Sequence, residues 1–150
     1  MKKFKFNLES VLKYREIVQK QQERRLGEAG AALNEARDEL TRMRTDLEQS
    51  YLVTAPAQSV DVTSALLYEQ YRGRLAEEIE AKRAGVADLQ AQFNERRAAL
   101  AKAAQDKQAL VTLKEKALAG HRQEMDKQQQ NLVDELTSLR REDDGKEDCA

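Results

Sequence analysis

Apolar residues recur along this chain at a spacing that alternates between three and four. Leu12, Leu26, Leu33, Leu40 and Leu47 stand multiples of seven apart, with Gln19 in the one slot that breaks the row. Their companions are Arg15, Gln22, Ala29, Ala36, Met43 and Ser50. An a/d seam held over five heptads predicts a long helix with one apolar edge. Asn7 is placed to cap its first N–H groups, with Phe6 and Val11 at the staple positions on either side. The helix is expected over about residues 8–52. Pro56 then falls within residues 53–63, a stretch of β-branched and capping residues without a heptad leucine. Proline lacks the N–H that the ladder needs and drives the preceding residue out of the α region, so the loop is expected at about 53–61.

A second helix, expected over about 62–140, opens after Asp61 or Thr63, either of which suits a cap. Its seam reads Tyr68, Leu75, Ile79, Lys82, Val86, Leu89, Phe93, Arg96, Leu100 and Ala103. Leu110, Leu113, Leu118, Met125, Leu132, Leu136 and Leu139 continue it, with a slip of phase between Ala103 and Leu118 of the kind a stutter produces. Two heptad helices joined by a short polar loop fold back antiparallel. The fold class is therefore all-α: an antiparallel coiled-coil hairpin forming one domain, with an acidic tail at 141–150 expected to be disordered.

A pairing in which partner numbers add up to about 115 opposes Leu47 to Tyr68, Leu40 to Leu75, Ala36 to Ile79, Leu26 to Leu89 and Gln22 to Phe93. It also brings Gly27, Gly30 and Gly85 close together, as a near approach of the two backbones would require. Helix one spans about 70 Å and helix two about 120 Å at 1.5 Å per residue, which leaves roughly 25 to 30 residues of helix two unpaired. That overhang still carries Leu118, Met125, Leu132, Leu136 and Leu139 on one stripe. An apolar stripe without a partner inside the hairpin is a surface for something else.

Composition narrows the function. Charged residues make up 35% of the chain at a net charge of −1. Acids and bases alternate along the helices and form no basic stripe, which argues against nucleic acid. No apolar run reaches the ~20 residues of a membrane span, and residues 6–12 are too polar for a signal-peptide core, so a cytoplasmic chain is expected. Cys149 has no second cysteine to pair with, and His121 has no cluster of ligands around it. Phosphate-binding loops, nucleophile elbows and zinc-protease motifs are absent. The sequence calls for no enzyme activity, cofactor, metal or small-molecule substrate.

The opening Phe4, Phe6 and Leu8, then Val11, Leu12 and Arg15, then a leucine-and-alanine heptad helix, resembles the flagellar export protein FliJ family. The likeness extends through the proline-containing loop and a restart at Leu67, Tyr68, Tyr71, Leu75 and Ile79 to the long charged second helix. It implies a stalk-like coiled coil of the bacterial flagellar type III export apparatus, at the inner face of the cytoplasmic membrane. Implied partners are the hexameric export ATPase, whose assembly and activity it promotes, the membrane export gate and the export chaperones. On that likeness the open end enters the ATPase ring through Phe4, Phe6, Leu8, Leu118, Arg122, Met125, Leu132, Leu136 and Leu139. The hairpin tip faces the gate through Met43, Leu47, Tyr51, Tyr68, Tyr71 and Leu75. Tyr51 is the strongest tip candidate, because Tyr68 and Tyr71 also suit the seam. Two other readings fit the same architecture: the equivalent stalk of a virulence type III secretion system, and a structural coiled-coil adaptor that dimerises through the overhang.

Overall fold

A computed structural model describes residues 3–53 and 61–147, with side chains over 3–52 and 61–141. Two helices account for nearly all of it, α1 at Glu9–Val53 and α2 at Val62–Glu147, and they form a helical hairpin with the second helix the longer. Pro56, Cys149 and part of the expected acidic tail lie outside the described residues. The backbone is helical to Glu147, beyond the residue 140 expected from the periodicity.

Local chemistry fixes the starts of both helices. The Glu9 N–H, which a capping Asn7 would take, is donated instead to the Phe6 carbonyl at 3.2 Å, and the first full helical bond runs from Leu12 N–H to Leu8 O at 2.9 Å. The entry to α1 is thus closed by a backbone turn, with Glu9 placing a carboxylate where the helix dipole favours one. At α2 the Ala65 N–H donates to the Asp61 carbonyl at 3.0 Å, which makes Asp61 the N-cap of the two candidates. The end of α1 carries no basic residue of its own.

The hairpin divides into two units, Ile17–Ala104 and Met1–Glu16 with Gln105–Ala150. In the first, Leu40, Leu75 and Ile79 form the buried centre, and Met43, Leu47 and Val86 pack against it. Leu33 and Ala36 are buried as well. The heptad phase of both helices is therefore as the pattern of leucines predicts. The register is not. Ser50 pairs with Arg72, Glu39 with Lys82, and Gly30 with Phe93, partners whose numbers total 121 to 123 rather than about 115.

The offset is one heptad, and its origin is physical. A seam that repeats every seven residues presents the same apolar edge after a slip of seven, so matching apolar positions cannot distinguish the two registers. Residues that break the repeat distinguish them. Phe93 seats its ring 3.4 Å from the position a Cβ on Gly30 would take, a fit that the smaller register number would replace with Gln22. Gly27 and Gly85 meet nothing within 4 Å, so the expected cluster of glycines does not form. Tyr68 consequently does not lie against Leu47 but is 38% exposed. Arg96, given a seam position by the pattern, is exposed too.

In the second unit the pairs are Arg15 with Asp106 at 3.0 Å and Glu9 with Lys114 at 2.7 Å. Along this part of α2 the shielded positions include Lys107, Val111, Lys114, Leu118, His121 and Met125. Two steps of four in succession, from Ala103 to Lys107 to Val111, are the slip of phase expected here. Leu113 lies off this new stripe and is exposed.

Candidate partner-binding surfaces

The loop end of the Ile17–Ala104 unit is built around a charge. Arg72 occupies a heptad position and is only 7% exposed. Its Nε donates to Ser50 Oγ at 3.3 Å, its Nη2 to the Ser50 carbonyl at 2.6 Å, and its Nη1 to Glu69 Oε1 at 2.7 Å. The guanidinium also lies 4.4 Å from the centre of the Tyr51 ring, within cation–π range. Ser50 belongs to the last turn of α1, where carbonyls lose their intrahelical donors and the dipole is negative. Arg72 thus brings from α2 the cation that α1 lacks at that end. Sequence reasoning passed over this residue, although an arginine at a buried heptad position opposite a serine is a visible break in the apolar pattern.

Around this group lies an apolar surface. Tyr51, Leu52, Val62, Leu66, Leu67 and Tyr71 are all exposed, and Ser64, Leu67, Tyr68 and Tyr71 line a shallow groove of about 440 Å³. Of the six tip residues named from the sequence, the three tyrosines stand on this surface. Leu75 is buried in the central cluster, and Met43 and Leu47 pack on it, so these three hold the helices together. Leu66 and Leu67 were not among the named residues, because an apolar residue beyond the end of the paired helix carries no periodic signal.

The open end belongs to the other unit. The Phe4 ring meets His121 edge-on, with centroids 5.6 Å apart and planes at 65°. Such a geometry suits an aromatic quadrupole. Phe4, Lys5, Phe6, Glu9 and Lys114 surround a recess of about 350 Å³. Leu118 and Met125 are half-buried, Leu8 is on the margin of exposure, and Arg122 is exposed. From 126 to 141 every residue of α2 is exposed, Leu132 at 59%, Leu136 at 67% and Leu139 at 61% among them. Val133, which the stripe of leucines does not include, is exposed beside them. The named open-end residues therefore fall into two groups, one packed along the helix pair and one on bare helix.

Among the described residues no three histidine, cysteine or carboxylate side chains gather where they could hold a metal ion. Among the described residues no helix is long and apolar enough to cross a membrane. Both ends offer apolar and aromatic side chains framed by charge, which is the chemistry of protein contacts.

Residues 4–144 fit the family model described as Flagellar FliJ protein. No curated protein and no solved structure matches.

Proposed function

The chain belongs to the FliJ family of flagellar proteins, coiled-coil components associated with flagellar protein export, and from that premise we propose that it is the non-enzymatic stalk of the export ATPase. In this reading the open end enters the hexameric ring and promotes its assembly and ATP hydrolysis. The tip meets the membrane export gate, and the helix flanks serve the export chaperones. The protein works in the cytoplasm, peripherally attached to the inner-membrane export apparatus.

One observation supports this reading most. The bare segment of α2 keeps Leu132, Leu136 and Leu139 at heptad spacing, though each is exposed. Exposed leucines at that spacing give the hairpin itself no stability, whereas a ring of subunits closing around the helix would bury them. The charges among them, Asp134, Glu135, Arg140 and Arg141, suit a lining of mixed sign.

The test is the ATP hydrolysis rate and ring assembly of the cognate export ATPase, with the protein added below and at equimolar ratio. Stimulation by the parent protein that Leu132→Asp with Leu136→Asp abolishes, while the circular dichroism melt stays unchanged, is the expected result. Equal stimulation by the double variant would remove the open end from the ring.

A further inference from the structure

The hairpin has two apolar registers one heptad apart, and only one of them is occupied. In the occupied one Ser50 faces Arg72. In the alternative, Leu40 would face Leu75, Ala36 would face Ile79 and Leu26 would face Leu89, an apolar seam at least as continuous. Something other than apolar matching selects between them. We infer that Arg72 is a register pin: a buried guanidinium that meets the hydroxyl and helix-terminal carbonyl of Ser50 in one register only, and so holds the loop end in the form that leaves its aromatic surface open.

The argument rests on what Arg72 would meet after the slip. Where it lies, the guanidinium donates to a hydroxyl, a helix-terminal carbonyl and a carboxylate, and stacks on Tyr51. One heptad away its neighbour on α1 is Met43, whose thioether is at best a weak acceptor. Glu69, three residues back on α2, stays in reach in either register, but a buried guanidinium that loses the Ser50 hydroxyl and carbonyl is disfavoured, whereas one that keeps them is tolerated. Apolar layers tolerate the slip and the arginine does not. This is the use of a buried polar group best attested in coiled coils, where a single one fixes the register.

The choice of register has a surface consequence. With Arg72 on Ser50, residues 62–68 of α2 lie beyond the last turn of α1, and Leu66, Leu67 and Tyr68 are exposed. After the slip Tyr68 would oppose Leu47 and be covered. Arg72 is therefore a positioning residue for the groove lined by Ser64, Leu67, Tyr68 and Tyr71, whatever binds there. The inference stands on the packing alone and is independent of the stalk reading.

The experiment is a distance measurement on the full chain with Cys149→Ser, spin-labelled at Arg25→Cys and Glu77→Cys, both exposed positions of the Ile17–Ala104 unit. A slip of one heptad toward the alternative register shortens that distance by about 10 Å, seven residues at 1.5 Å rise. With Arg72 present, a single distance is expected. Arg72→Met replaces the charge by an apolar side chain of similar length, and a second population about 10 Å shorter is expected. A single unchanged distance in Arg72→Met would overturn the inference, because Phe93 on Gly30 and the Glu39–Lys82 pair would then suffice to hold the register. Loss of helicity in that variant would overturn it as well, by showing that Arg72 maintains the fold rather than choosing between two packings.

Discussion

The loop end and the open end of the hairpin both expose large apolar side chains but support them differently. At the loop end the exposed tyrosines and leucines surround a buried, multiply bonded arginine, so the surface is mounted on a fixed polar group. At the open end the paired region is held by ion pairs that remain more than a third exposed and by one aromatic contact, and the leucines farther along stand on unaccompanied helix. A preorganised surface loses little entropy when a partner arrives, whereas side chains on a bare helix lose their freedom only when a partner covers them. The first arrangement suits a contact of defined geometry. The second suits insertion into a partner that supplies the missing walls.

The largest effect should come from placing a charge where neither end has one. Leu40 is buried in the central cluster, and Leu40→Asp should lower the stability of the hairpin by at least about 3 kcal/mol, seen as a collapse of the thermal midpoint. Leu26→Asp should cost less, because Leu26 is only half-buried. Leu132→Asp with Leu136→Asp should move the midpoint little, since both side chains already face water. An equal loss of stability in all three would mean that the bare segment is packed, and would end the contrast between the two regions.

The comparison also explains what the sequence could and could not tell. Repetition was legible: the leucines at 26, 33, 40 and 47 gave the length and phase of α1, and the same spacing around Leu75 and Ile79 gave α2. Register was not legible by the same route, because a periodic seam is indifferent to a shift by its own period. The discriminating residues are the ones a search for apolar spacing sets aside, Arg72 against Ser50 and Gly30 against Phe93. The tip surface was read in part for a related reason. Its tyrosines were named as aromatics near a loop, but Met43, Leu47 and Leu75 were named with them, and separating exposed from packed residues requires the register. At the open end, where no second helix is needed to say that leucines are unpaired, the sequence located Leu132, Leu136 and Leu139 directly.

A middle-sized effect tests the close fit on Gly30. The Phe93 ring stands at ordinary van der Waals distance from the position of an added Cβ. Gly30→Ala should therefore fit without displacing the ring and gain helix propensity, raising stability by up to about 1 kcal/mol. Gly30→Leu should push Phe93 away and lower it. A destabilising alanine would mean that the ring cannot yield even slightly and that the helices are closer there than van der Waals contact requires.

The smallest effect expected concerns the ion pairs of the open end. Lys114 and Glu9 meet at 2.7 Å, with side chains 37% and 42% exposed, and Arg15 meets Asp106 with both 39% exposed. Water and salt screen such pairs, and each should be worth no more than about 0.5 kcal/mol. A double-mutant cycle on Glu9→Gln and Lys114→Met should give a coupling of that size at low ionic strength. It should fall toward zero at about 1 M salt, where the Debye length is about 3 Å. Arg72 responds differently, because its carbonyl and hydroxyl partners are neutral and shielded from ions. The effect of Arg72→Met on the distance distribution should accordingly persist at the salt concentration that removes the Glu9–Lys114 coupling. If both disappear together, the loop end is held by screened charge as the open end is, and the distinction between a fixed surface and an adaptable one fails.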